Sequence, residues 1–143
     1  MRALLDVNVL IALLDSRHVH HRQATEWLGA HLDSGWASCP LTQNGCIRIL
    51  SQPAYPNATN AGLVARHLGD AVASGDHEFW ADDVSLLAPG VLNWNYILSS
   101  RQVTDAYLLA LAVRHGGRLV TFDAGVPLTA VSAARKKHLE ILR

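Results

Sequence analysis

Apolar and polar positions alternate along the chain in short blocks. Arg2–Leu5 is an apolar run that stops at Asp6, and reads as a strand. Asn8–Leu14 (NVLIALL) follows and predicts a short helix, and the polar stretch Asp15–Val19 predicts a loop. Over His20–Leu32 the apolar residues Ala24, Trp27, Leu28 and Leu32 fall three and four apart. That is the spacing of an amphipathic helix. Gly35–Cys39 predicts a second strand, and Pro40 or Thr42 opens a helix carrying Cys46, Ile47, Ile49 and Leu50. Ser51–Asn60, with two prolines and two asparagines, is a loop, and Ala61–Val72 is a helix stopped at Ser74-Gly75-Asp76. His77–Leu87 has extended character around Asp82-Asp83, and Pro89 can start a helix through Leu98.

The last third is clearest. Thr104 suits an N-cap with Asp105 in the first turn, and Ala106–Arg114 is almost wholly apolar. A helix of that composition is buried on most sides. Gly116-Gly117 ends it, Arg118–Thr121 is a strand followed at once by Phe122-Asp123, and Leu139–Leu142 is a final strand. Strands that alternate with helices predict an α/β fold with a parallel sheet covered on both faces. At 143 residues this is a single domain, 1–143.

Half the residues are hydrophobic and 17% are charged, which excludes a disordered or fibrous chain. No apolar run reaches the ~18 residues of a membrane span, and the N-terminus lacks a secretory pattern. A cytoplasmic location is the expectation. Twelve basic residues balance twelve acidic ones, so any contact with nucleic acid rests on a local patch or a metal. Cys39 and Cys46 are too few for a structural zinc site and read as buried small hydrophobes.

Nine of the twelve acids are Asp, a residue of caps, turns and ligand sets. Asp6 and Asp123 each follow an apolar strand directly, and Asp105 opens the helix before the second of these strands. In a parallel sheet all three positions lie on the edge where open α/β folds bind ligands. They are 99 and 18 residues apart, so only the fold brings them together. Three carboxylates in one space must take up protons or share a cation. Oxygen donors of this kind suit Mg2+ or Mn2+, which support phosphodiester hydrolysis.

Leu4-Leu5-Asp6-Val7-Asn8-Val9-Leu10-Ile11, Thr104–Ala112 (TDAYLLALA) and Leu119-Val120-Thr121-Phe122-Asp123, in that order and spacing, resemble the PIN-domain ribonucleases, in particular the VapC toxins of bacterial VapBC pairs. The similarity spans nearly the whole chain. It implies an α/β/α sandwich with a mostly parallel central sheet and a Mg2+- or Mn2+-dependent endoribonuclease, a toxin held in check by a cognate antitoxin. It implies Asp6, Asp105 and Asp123 as metal ligands, with Asn8, Thr104 and Thr121 in support, and a homodimer. Where many such toxins carry a Glu in the helix after the second strand, this chain has Gln43, with Asn44 beside it. Both are counted with the catalytic set. The site then holds three formal negative charges instead of four, unless Asp82 or Asp83 supplies another. Arg17, His18 and Arg48 are candidate RNA contacts. His18, His20 and His21 have no defined zinc spacing and read as a polar loop or a mildly basic lip. Arg135-Lys136-Lys137 reads as a solvated face.

Two alternatives stand beside this reading. One is a PIN-like module that binds RNA or an antitoxin without turnover. The other is a phosphatase of the aspartyl-phosphate type, which needs a second acid two residues after the nucleophile, where this chain has Asn8.

Overall fold

The computed structural model describes residues 1–143. Five strands form one sheet: β1 (Ala3–Leu5), β2 (Trp36–Ser38), β3 (His77–Phe79), β4 (Arg118–Thr121) and β5 (Leu139–Ile141). They lie in the order β3-β2-β1-β4-β5 and every neighbouring pair is parallel. All strands therefore finish on the same edge. β1 is central, and the chain first builds outward to β2 and β3, then crosses to β4 and β5. The direction of winding reverses between β1 and β4, which is the topological switch point of an open α/β sheet. Residues after those two strands face each other across the crevice. Strands of three or four residues survive here because helices cover both faces and β1 and β2 are wholly buried.

One face carries α1 (Val7–Leu14), α2 (His21–Ala30), α3 (Pro40–Leu50) and α4 (Ala61–Val72). Leu5, Val9, Leu10, Ile11, Cys46, Val64 and Leu68 form its core. The other face carries α5 (Gln102–Arg114), whose Leu108, Leu109 and Leu111 are fully buried beside Leu4, Trp80 and Leu119. Both cysteines are free and buried, and burial pushes the Cys46 thiol up to about 12. Helix α4 begins where Asn60 Oδ1 accepts the Leu63 backbone N–H at 2.8 Å. No helix is long and apolar enough to cross a membrane.

Three expectations are corrected. The extended stretch after residue 77 ends at Phe79 instead of Leu87, and the helix from Pro89 to Leu98 is absent. Residues 80–100 run as an irregular strap with a single 3-10 turn at Trp94–Tyr96. Val84, Leu86, Val91 and Ile97 of that strap pack on the α5 core, and Gly90 turns the chain at φ +81°. The strap covers α5 through scattered apolar contacts that need no helical period. Thr104 is not an N-cap, because α5 starts at Gln102. The Gln102 side chain accepts the Leu98 backbone N–H at 2.8 Å and donates to the Gly125 carbonyl at 3.2 Å, which anchors the extra turn.

Candidate active site

The switch point holds the acids that the sequence points to. Asp6 caps α1: its Oδ1 accepts the Val7 backbone N–H at 2.7 Å. Its Oδ2 accepts the hydroxyl of Thr121, the last residue of β4, at 2.6 Å. Thr121 Oγ1 in turn accepts the Asp123 backbone N–H at 3.0 Å. Asp123 Oδ1 accepts the Gly125 N–H at 2.7 Å, an Asx turn that bends the chain away from the sheet. A buried threonine thus ties the ends of β1 and β4 together. Asp105, in the first turn of α5, lies near enough to Asp6 and Asp123 for their charges to act on its carboxyl.

The charges respond to each other. Burial, then the negative charges of Asp6 and Asp123, push the Asp105 carboxyl up to about 6. Burial raises Asp6 above the ordinary carboxylate range despite the hydrogen bonds from Thr121 and Val7, and Asp123 adds to the rise. None of the three acids has an ion pair with Lys, Arg or His. The side chains do not stand as a closed cluster of three or more acidic, histidine or cysteine ligands around one point. What they form is an uncompensated, oxygen-only anionic edge. A donor set of that chemistry fits a hard divalent cation.

The other predicted residues separate into groups. Gln43 lies in the first turns of α3, and its Nε2 donates to Ser38 Oγ at 2.9 Å. Ser38 is fully buried, and its hydroxyl meets His77 Nε2 at 2.7 Å. Burial, followed by the Arg2 charge, holds the His77 pKa low. With the Gln43 amide donating to Ser38 Oγ, the Ser38 proton is free to be given to His77 Nε2. This chain of contacts was not legible beforehand, because Ser38 and His77 are 39 residues apart. Asn8, Asn44 and Thr104 are exposed on α1, α3 and α5.

Asp82 stays outside the group of three. Its Oδ2 accepts the Leu41 N–H at 3.0 Å at the start of α3. After burial, it is the main cause that pushes the Tyr107 hydroxyl up to about 12. Asp83 turns away to Arg114 at 3.2 Å and His115 at 3.3 Å. Arg48 is exposed in the last turn of α3, about 12 Å along the helix from the edge at 1.5 Å per residue. Arg17 is exposed and His18 half-buried in the loop between α1 and α2. Burial, then the charge of His20, keeps His18 low.

The PIN domain description matches residues 3–131. Among proteins of similar sequence, Ribonuclease VapC44 of Mycobacterium tuberculosis (strain H37Rv) is 51% identical over 142 residues, 99% of this chain and 100% of that protein. Ribonuclease VapC38 of the same strain is 47% identical over 141 residues, 98% of this chain and 97% of that protein. Among solved structures, VapBC2 from Rickettsia felis bound to a DNA fragment from its promoter superposes with a TM-score of 0.66 at 10% identity, with 100% of both chains covered. At that identity the likeness speaks for the fold.

Proposed function

The chain belongs to the PIN domain family, and on that premise we propose that it is a metal-dependent endoribonuclease, the toxin of a type II toxin–antitoxin pair. One observation carries the reading: Asp6 after β1, Asp105 in α5 and Asp123 after β4 lie along one sheet edge near enough for their charges to act on one another, with no cation paired to them. Asp6, Asp105 and Asp123 would hold Mg2+ or Mn2+. When bound, such an ion neutralises charge on phosphoryl oxygens and lowers the pKa of a bound water.

The protein's own groups divide the remaining work. Asp6 is the fixed member, held through both oxygens by Val7 and Thr121. Asp105 is the member that exchanges a proton near neutrality, because its carboxyl titrates at about 6. Asp123 is restrained by the turn to Gly125. Gln43 adds no charge, and its amide is oriented by Ser38. Both Asp6 oxygens are engaged and the position two residues later is the exposed Asn8, which speaks against Asp6 as a phosphorylated nucleophile.

The antitoxin is the proposed protein partner. Between α1, α2 and α4 lies a cavity of about 300 Å3 lined by Leu10, Leu13, Leu14, Leu28 and Leu68, which suits an apolar segment of such a partner. A homodimer and a cytoplasmic setting complete the reading, as the VapC resemblance implies.

The test is to titrate the purified protein with manganese, add RNA and look for 5′-phosphate products. Wild-type protein should cleave and the Asp6→Asn variant should not. Unchanged cleavage by that variant overturns the assignment. One observation favours a second reading, a module that binds without cutting: Gln43 stands uncharged in the place of an acid, with its amide nitrogen committed to Ser38. Manganese binding without any cleavage by the wild type would select it.

A further inference from the structure

The loop between α1 and α2 is pinned at both ends and bare in the middle. At one end Asp15 accepts from the Tyr55 hydroxyl, from Asn57 Nδ2 at 3.0 Å and from the Arg17 N–H at 3.0 Å. At the other, His21 Nδ1 lies 2.7 Å from the Ala12 carbonyl. Between them Val19 is 85% exposed, and Arg17 and His20 are exposed as well. The His20 ring stacks on Phe122, with centroids 4.8 Å apart and planes at 25°. His18 lies 5.7 Å from His20 at 44°. Phe122 is half-buried and packs on the core beneath α1, so it forms a firm base. It also immediately precedes Asp123.

We infer that His20, seated on Phe122, is the stacking platform for an unpaired base of the RNA beside the scissile phosphate. The inference rests on the ribonuclease reading and assigns a residue that holds its substrate. A stacking platform needs an aromatic ring that is open to solvent, held in one orientation and close to the chemistry. His20 meets each condition: it is exposed, its ring rests on Phe122, and Phe122 is bonded to a proposed metal ligand. The imidazole of His20 makes no side-chain hydrogen bond, so packing on Phe122 is what orients it. In an A-form duplex the base faces are covered by their neighbours, whereas single strands offer them to aromatic side chains. With a net charge of zero, the chain has no general field for RNA, and local contacts carry the binding. Arg17, exposed in the same loop and free of any ion pair, is placed for a neighbouring phosphate.

The experiment uses the whole protein with His20→Ala and His20→Phe. The probe is a mixed-sequence single-stranded RNA oligonucleotide carrying 2-aminopurine, alone or annealed to its complement, in EDTA so that nothing is cut. Anisotropy reads binding and the fluorescence reads stacking. For the single strand, His20→Ala should weaken binding by about tenfold, in the range of one lost base–aromatic stack, and should remove the quench. His20→Phe should keep both, which loss of a merely structural contact would not predict. Duplex binding should be weaker and the same in all three proteins. Wild-type affinity and quench in His20→Ala, or His20→Phe behaving like His20→Ala, overturns the platform. Manganese-dependent cleavage by the wild type is measured alongside. Cleavage with an unaltered His20→Ala sinks the platform alone, and a wild type that neither binds nor cuts RNA sinks the ribonuclease reading with it.

Discussion

Thr121 Oγ1 donates to Asp6 Oδ2 at 2.6 Å, so the last residue of β4 holds the first residue after β1. The same hydroxyl accepts the Asp123 N–H, and the bond to Asp6 is buried while that from Asp123 is half-buried. Thr121→Val keeps the shape and removes both bonds. Leaving the buried Asp6 carboxylate oxygen without this partner should cost about 1–3 kcal/mol of stability. Manganese affinity should fall with it, while Thr121→Ser restores both. Chemical denaturation and calorimetric titration of the three proteins check this. Equal manganese affinity in Thr121→Val and wild type would remove Thr121 from the site.

Asp105 makes the metal-free protein sensitive to pH in a definite direction. Its carboxyl is at about 6 when folded and near 3.8 in an unperturbed chain. Between those values the folded state holds more protons than the unfolded state, so stability falls as pH rises through that window. The melting temperature in EDTA should therefore drop from about pH 4 to pH 6 by this group's contribution. Asp105→Asn should flatten that slope, melt higher than wild type at pH 7 and lose the rise in melting temperature produced by manganese. Scanning fluorimetry with and without manganese reads all three. A lower melting temperature for Asp105→Asn in EDTA at pH 7 would contradict the repulsion described here.

Much of this was readable in advance. The strand ends at Leu5 and Thr121 and the boundaries of α4 follow from local signals: an apolar run stopped by an acid, or an Asn cap before a periodic segment. The convergence of Asp6, Asp105 and Asp123 follows from topology alone. What could not be read depends on contacts remote in sequence. The early start of α5 is set by the Gln102 bond to Gly125, 23 residues away. The strap over α5 has no period because it fills spaces left by another helix. The setting of Gln43 was hidden because its partner Ser38 is itself met by His77, which reaches it from β3.

Gln43 gives a prediction of opposite sign to an ordinary site substitution. Gln43→Glu adds a carboxylate at the edge of a site that now has three. Manganese affinity should rise by on the order of tenfold, since an added charge a few ångströms from the ion is worth about 1 kcal/mol or more even under strong screening. The same change removes the amide donor to Ser38, so the metal-free protein should lose stability. Calorimetry and denaturation measured together separate the two effects. An unchanged or weaker affinity would show that Gln43 does not face the ion.

The Tyr55–Asp15 contact tests whether the loops are anchored apart from the chemistry. Tyr55 OH and Asn57 Nδ2 both donate to Asp15 Oδ2, and the acid sits at the end of α1. Burial pushes the Asp15 carboxyl up, but those two bonds and the Arg17 N–H outweigh it and leave it below the ordinary range. An acid held low stabilises the fold above its unfolded pKa, and that contribution is lost as pH falls through the folded value. Tyr55→Phe removes one donor to a charged acceptor, which should cost about 1.5–3 kcal/mol at pH 7. The loss should shrink in acid, once Asp15 is protonated in both proteins. Because Asp15 makes no contact with Asp6, Asp105 or Asp123, manganese affinity should not change. Denaturation at pH 7 and at pH 3, with a manganese titration at pH 7, distinguishes this from a general loosening of the fold, which would weaken metal binding and leave a deficit of the same size at both pH values.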